Sequence, residues 1–143
     1  MIDNRLAPYA ALLLRLAIGV EFLTHAALKF FVYTPAGTTR FFESVGVPGA
    51  LGPVTIVVET LVGVSMIFGI MPRLAALVGV PILVGAIATV HFGNGFFFSN
   101  PNGGWEFPAF WALTLAVQAM LGDGALALVK TPSLGASLRV AAT

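Results

Sequence analysis

The sequence predicts an all-α protein, an integral membrane bundle of four transmembrane helices. Hydrophobic residues make up 58% of the 143 residues and charged residues only 9%, against roughly 25% charged residues in an ordinary soluble domain. Mean hydropathy is +0.97, and a water-soluble domain of this length has no core large enough to hide that much apolar surface. A bilayer removes the difficulty, because lipid then surrounds the outward-facing side chains.

Four apolar segments account for the four helices, and each approaches the roughly 20 residues needed to cross a bilayer. In a single domain covering residues 1–143, they are predicted at about 8–33, 51–70, 74–92 and 106–122. The segments between them are rich in Gly, Pro and Asn, as is typical of turns. The mildly apolar remainder, residues 125–143, is predicted to be an interfacial or flexible tail.

The distribution of basic residues predicts the orientation, because Lys and Arg accumulate in cytoplasmic loops. One side of the predicted membrane receives only Arg40, with Lys29 inside the nearby helix end. The other side receives Arg5, Arg73, Lys130 and Arg139. Both termini and Arg73 are therefore predicted to be cytoplasmic, and Asn94 is predicted to be outside.

The first helix carries four ionisable residues, which are Arg15, Glu21, His25 and Lys29. At the helical period they project within roughly 120° of one another. A charged side chain costs about 2.5–3.5 kcal/mol at the membrane centre, so this stripe is predicted to face the bundle interior. For Arg15 the alternative is that its long side chain reaches the cytoplasmic headgroups.

The rise of about 1.5 Å per residue predicts that His25 and Glu59 lie at equal depth, about 12 Å below the outer surface. The two side chains are therefore expected to lie in one buried cluster, within hydrogen-bond reach directly or through one neighbour. A polar core is predicted in the outer half of the bundle, formed by Glu21, His25, Lys29, Glu59, His91 and Glu106. Three alternatives remain open: ion pairs that only fix helix register, a two-histidine haem site, and a metal site formed by Glu21, His25 and Glu59.

A short internal match suggests a duplicated helical hairpin. One short pattern occurs twice without a gap, first as His25-x4-Phe30-Phe31-x3-Pro35-x-Gly37 and then as His91-x4-Phe96-Phe97-x3-Pro101-x-Gly103. The two stretches occupy the outer ends of the first and third predicted helices, which run in the same direction, so a real repeat would be parallel. In so apolar a sequence, a chance match is the alternative.

Composition also excludes several functions. The chain has no cysteine, which excludes disulfides, thiol catalysis, zinc–thiolate sites and iron–sulfur clusters held by this chain. The net charge of +1 gives no indication of nucleic acid as a partner. Any redox chemistry must therefore use a bound cofactor or another subunit.

Several motifs, in order along the chain, resemble the DoxX family of small bacterial membrane proteins. The resemblance extends from about Leu12 to Gly124, and Trp105 stands where the family often has tyrosine. The motifs are Leu14-Arg15-Leu16-x2-Gly19-x2-Phe22-Leu23-x-His25-x3-Lys29, Phe41-Phe42-Glu43-Ser44-x-Gly46-x-Pro48, Glu59 with Gly69 and Arg73, Thr89-Val90-His91-x2-Asn94-Gly95-Phe96-Phe97, and Gly103-Gly104-Trp105-Glu106.

The resemblance implies a four-helix protein of the bacterial inner membrane. It also implies an association with oxidoreductases, because relatives include a subunit of a thiosulfate:quinone oxidoreductase. Distant relatives act as cargo receptors or receptor-assembly chaperones, so the fold does not fix the function.

The leading hypothesis is a quinone-linked membrane oxidoreductase, or the membrane subunit of one. Its catalytic residues would be His25, Glu59 and His91, which would protonate the quinone and relay protons. Its ligand-binding residues would be Glu21, Lys29, Arg40 and Glu106. The sequence does not identify a cofactor: quinone is the candidate, haem is disfavoured and no metal is assigned. The alternatives are a non-enzymatic scaffold, an assembly factor or a small-solute pathway. Expected partners are the lipid bilayer, a redox protein and a second copy of the chain.

Overall fold

The computed structural model describes residues 3–132, and this part of the chain forms five α-helices and no β-strand. A π-helical turn, Leu28–Val32, extends α1, and a π-helical turn, Ile87–His91, followed by a 3-10 turn, Phe92–Asn94, extends α4. The helices are α1 (Ala7–Ala27), α2 (Pro35–Ser44), α3 (Leu51–Phe68), α4 (Pro72–Ala86) and α5 (Glu106–Leu121).

Among the described residues, three stretches are long and apolar enough to cross a membrane: Ala7–Val32, Leu51–Phe68 and Pro72–Asn94. The fourth apolar helix, Glu106–Leu121, has 16 residues and is therefore shorter than the roughly 20 residues of a typical span. The prediction of an all-α membrane bundle of four helices is confirmed.

The four long helices form a closed ring, in which α1 packs most extensively on α3, and α4 on α5. Glycines bring α1 and α3 close together, since a Cβ atom on Gly19 would lie 3.0 Å from the carbonyl oxygen of Gly63. We call the end of the bundle that carries α2 the α2 end, and the opposite end the turn end. The buried core consists of Ile18, Phe22, Val62, Met66, Ala75, Ala76, Leu83, Trp111 and Leu115.

The short helix α2 is not predicted, because the sequence between the first two apolar segments is typical only of a turn. Thr34 and Pro35 begin this helix. The Thr34 side chain accepts a hydrogen bond from the backbone N–H of Gly37 at 3.2 Å, and Pro35 occupies the first helical turn. Thr34 has φ of 63°, a strained conformation for a β-branched residue, and it allows the chain to reverse sharply over the end of the bundle.

Arg15 does not extend to the membrane surface, so the headgroup alternative is wrong. Its side chain is buried, and one terminal nitrogen, Nη1, donates to the carbonyls of Met66 and Ile67 at 2.8 and 3.0 Å. The other, Nη2, donates to the carbonyl of Ala125 at 2.9 Å. Met66 and Ile67 lie in the last turn of α3, where backbone carbonyls lack helical partners. Arg15 therefore caps α3 and ties α1 and the chain after α5 to it.

The chain after α5 returns across the turn end. The backbone N–H of Ala125 donates to the carbonyl of Pro8, and Val129 forms an isolated parallel bridge with Ile70. These contacts hold residues 125–131 against the start of α1 and the α3–α4 turn. Residues 133–143 of the predicted tail, including Arg139, lie outside the described residues.

Candidate functional site

A cavity of about 600 Å³ lies among the four long helices in the half of the bundle nearest α2, and we call it the central cavity. Most of its wall is apolar and aromatic, which is typical of a site for an organic ligand of this size. Its ionisable side chains are His25 and Lys29 from the first span, Glu59 from α3 and His91 from the end of α4. Its aromatic side chains are Phe41, Phe42, Phe98, Phe107 and Trp111.

Lys29 and Glu59 form an ion pair in the cavity wall. The Lys29 Nζ atom lies 2.9 Å from each carboxylate oxygen of Glu59. Glu59 is buried, with 4% of its side chain exposed, whereas the Lys29 side chain is 20% exposed. The pair joins α1 to α3 and leaves the cation as the more accessible member. A ligand in the cavity therefore meets a charged donor whose counter-ion is fixed behind it.

Two π-helical turns supply part of this site. Lys29 lies in the π-helical turn of the first span, and His91 is the last residue of the π-helical turn that follows α4. Such turns are rare and are frequently found at functional sites. The Lys29 backbone carbonyl also accepts a hydrogen bond from the hydroxyl of Thr38 at 3.2 Å, which attaches α2 to the first span.

The two histidines occupy different environments. His91 Nδ1 lies 2.9 Å from the carbonyl oxygen of Gly103. A carbonyl only accepts, so Nδ1 carries a proton, and Nε2 of the neutral ring is left as an acceptor. The His25 side chain makes no hydrogen bond within the described residues, and its ring centroid lies 4.9 Å from that of Trp111. One histidine is therefore oriented by the backbone and the other by an aromatic neighbour.

The side chains of His25 and Glu59 share the central cavity, but no hydrogen bond joins them. Both residues line the central cavity, but the carboxylate of Glu59 binds Lys29. Equal depth along two helices does not determine which of several neighbours a flexible side chain selects. A lysine has three donors on a long stem and reaches down the helix toward the acid.

Three predicted site residues lie away from the central cavity. Glu21 is exposed on the outside of α1, so the prediction that it faces the bundle interior is wrong. Arg40 is exposed on α2, where its Nε lies 3.4 Å from the carbonyl oxygen of Ala36. Glu106 is also exposed and accepts a hydrogen bond from the backbone N–H of Phe98 at 3.1 Å. Glu106 therefore fastens the segment before α5.

The exposed position of Glu21 also argues against the alternative of a metal site. Within residues 3–132, no three His, Asp or Glu side chains are grouped as metal ligands. A metal site formed by Glu21, His25 and Glu59 is therefore without geometric support.

The internal match is not reflected in equivalent local structure. After His25 the chain forms a π-helical turn and then α2, which begins at Pro35. After His91 it forms a 3-10 turn and a loop that contains Pro101. The matched residues therefore lie in different elements.

Two parts of the site were missed from the sequence. The first is the cover that α2 forms, which places Phe41 and Phe42 against the cavity. The cap residue Thr34 followed by Pro35 was the available signal for this helix. The second is Trp111, whose indole Nε1 is buried and has no hydrogen-bond partner among the described residues. No local pattern distinguishes Trp111 from an ordinary residue of the apolar fourth segment.

The arrangement combines an apolar slot with hydrogen-bond donors and titratable groups at one end. Such a site suits a flat, largely apolar molecule that carries polar oxygens at its edge. The Lys29 ammonium can donate to such an oxygen, and the histidines can accept or donate protons.

The sequence of this chain is similar to those of known membrane proteins. The sequence model of the DoxX family matches residues 10–92, a range that contains His25, Lys29, Glu59 and His91. A protein of Bacillus subtilis (strain 168) named "Putative oxidoreductase CatD" is 33% identical over 125 residues, which cover 87% of this chain and 88% of that protein. No solved structure matches the chain. Because the family match covers more than half of the sequence, the chain belongs to the DoxX family of membrane proteins.

Proposed function

We propose that the chain is the membrane subunit of a quinone-linked oxidoreductase, with the quinone headgroup bound in the central cavity. One observation carries this proposal: an apolar cavity of about 600 Å³ contains the Lys29–Glu59 ion pair and two histidines at one end. A quinone needs an apolar slot, donors for its two ring carbonyls and a route for protons. The name of the Bacillus relative supports the oxidoreductase class.

Each polar residue then has a distinct task. Lys29 stabilises the negative charge that develops on a ring oxygen during reduction. His25 and His91 deliver the protons, because histidine changes charge near neutral pH. Glu59 positions Lys29 and relays protons. The electrons come from a redox protein partner, since the chain has no cysteine to carry them, and Arg40 attracts an anionic substrate or partner to the exposed side of α2.

The proposal includes a bacterial cytoplasmic membrane with both termini inside the cell. Arg5, Arg73 and Lys130 lie at the turn end of the bundle, whereas Arg40 lies at the α2 end. This asymmetry supports a cytoplasmic turn end, because Lys and Arg accumulate on the cytoplasmic side. The central cavity then faces the outer leaflet.

A membrane scaffold or assembly factor is the second candidate. The Lys29–Glu59 pair by itself fixes the register of α1 against α3, which is sufficient reason for two charges in a scaffold. A small-solute pathway has weaker support, because Phe22, Met66 and Leu115 are fully buried in the core below the cavity. A conducting route would have to displace them.

Substitutions that keep side-chain shape separate the two candidates. Glu59→Gln and His91→Gln remove titration, and Glu21→Gln is the matched control because Glu21 lies outside the cavity. We expect near-normal membrane abundance in all three variants. Quinone binding, measured with purified protein in nanodiscs, should weaken about tenfold or more in the two cavity variants and stay unchanged in the control. Parental quinone affinity in both cavity variants, or no quinone binding by the parent, favours the scaffold.

A further inference from the structure

Helices α3 and α4 are joined at the turn end and pack less extensively on each other than α3 packs on α1 or α4 packs on α5. Their connection is tight, because Gly69 and Met71 both have left-handed backbone angles, with φ of 67° and 46°. Toward the α2 end, the central cavity lies between them. The two helices are thus held together at one end and flank the cavity at the other.

Residues on both helices line the central cavity and are also exposed. On α4 and its π-helical extension they are Pro81, Gly85 and Thr89, which follow one another at four-residue intervals along one side. On α3, exposure falls from Leu51, which is 45% exposed, to Glu59, which is 3% exposed, over eight residues. These positions mark a slot that leads from the outer surface of the bundle to the ion pair.

The sequence of α4 fits a slot at this position. Pro81 has no backbone N–H and cannot bond to the carbonyl of Leu77, so the helix is weakened there. Gly85 has no side chain, and a Cβ atom built on it would meet nothing within 4 Å. The π-helical turn follows two residues after Gly85. At Gly85, the side of α4 that borders the slot therefore carries no side chain.

We infer that this slot is a lateral portal to the bilayer, and that the ligand is a lipid with a long hydrocarbon tail. The inference rests on the proposed function, and it specifies the class of quinone. The headgroup lies beside Lys29 and Glu59, and the tail leaves between α3 and α4. Leu51 and Glu59 are about 12 Å apart along the helix, so the tail crosses the rim within its first few isoprenoid units. The ligand enters from the membrane and not from water.

Gly85→Phe tests the portal, with Gly93→Phe as the matched control. Both glycines have open space around an added Cβ atom, but Gly93 does not line the cavity. The probes are ubiquinone-10 in nanodiscs and ubiquinone-0, which has no tail. We expect Gly85→Phe to weaken ubiquinone-10 binding about tenfold or more, with little effect on ubiquinone-0. Gly93→Phe should match the parent for both probes. Parental ubiquinone-10 affinity in Gly85→Phe overturns the portal while leaving the proposed function intact.

A second measurement is independent of quinone. The chain has two tryptophans, Trp105 and Trp111, so Trp105→Phe leaves a single fluorophore in the cavity wall. Phospholipids with brominated acyl chains should quench this fluorescence, and Gly85→Phe should reduce the quenching, whereas Gly93→Phe should not. Equal quenching in both variants overturns the portal. Quenching that depends on residue 85, in a protein that binds neither quinone, supports the portal and rejects the quinone function.

Discussion

At the scale of single residues, the Lys29–Glu59 pair has both a structural and a ligand-binding interpretation, and one double substitution distinguishes them. Lys29→Met alone leaves a buried carboxylate without its partner, which costs about 3–5 kcal/mol. Replacing both residues, as Lys29→Met with Glu59→Leu, should restore most of the thermal stability, because a buried ion pair is often no better than an apolar pair. Quinone binding should be lost in both variants.

Thermal unfolding in detergent and quinone titration in nanodiscs provide the two measurements. The variant Glu43→Leu is the control, because Glu43 is an exposed acid that does not line the cavity. A double variant that binds quinone with parental affinity would exclude the pair from the site.

Arg15 provides a second prediction at this scale, concerning stability alone. Arg15→Leu removes the donors from the carbonyls of Met66, Ile67 and Ala125. Each unsatisfied buried group costs about 1–3 kcal/mol, so we expect a loss of at least about 3 kcal/mol and a lower membrane abundance. Arg15→Lys should recover only part of this loss, because an ammonium lacks the planar fork.

Thermal unfolding checks this prediction against Arg5→Leu, an exposed arginine near the same end. Equal midpoints for the two leucine variants would show that the cap of α3 contributes nothing measurable.

At the scale of elements, α2 determines the shape of the cavity because it covers it. Helix α3 contacts α2 through Gly52, where a Cβ atom would lie 3.1 Å from the backbone nitrogen of Thr39. Backbone atoms cannot rotate away, so Gly52→Val should displace α2 together with Phe41 and Phe42. We expect faster hydrogen exchange in residues 35–44 and quinone binding weakened about tenfold.

The control is Ala116→Val, which adds similar bulk at an exposed position on α5. Unchanged exchange in Gly52→Val would mean that α2 adjusts without moving the cavity wall.

At the scale of the whole molecule, the proposed topology is directly testable. The chain has no cysteine, so single-cysteine variants can be labelled without background. Lys130→Cys at the turn end and Phe97→Cys at the α2 end replace exposed residues. In intact cells, a membrane-impermeant maleimide should label position 97 and spare position 130. The reverse pattern would invert the orientation, whereas permeabilised cells should label both.

The exposed carboxyl of Glu21 predicts contact with a second copy of the chain. Glu21 lies near the middle of the first span, where a charged side chain facing lipid costs about 2.5–3.5 kcal/mol. Ala17 and Thr24 are exposed on the same side of α1, and small residues allow helices to approach closely. We expect Ala17→Cys to form an intermolecular disulfide in oxidised membranes, and Glu21→Leu to reduce the yield. Leu113→Cys on α5 is the control, and equal yields at both positions would contradict an interface on α1.

The sequence determined the fold class and four residues of the candidate site. Apolar length and the spacing of Gly and Pro are local properties, and they were sufficient to predict four helices in a membrane. The cost of charge in lipid identified His25, Lys29, Glu59 and His91, which the folded chain brings together. These conclusions depend only on composition, helical period and depth.

Only the tertiary structure determined which partner each polar side chain binds and which face of each helix is buried. Glu21 and His25 are one helical turn apart, yet one is exposed and the other lines the cavity, because small rotations about the axis of α1 decide which neighbour each residue meets. Arg15 is buried because the end of α3 offers carbonyls without donors, and Lys29 pairs with Glu59 because the first span and α3 bring them together. Such choices depend on residues distant in sequence, and no local pattern contains them.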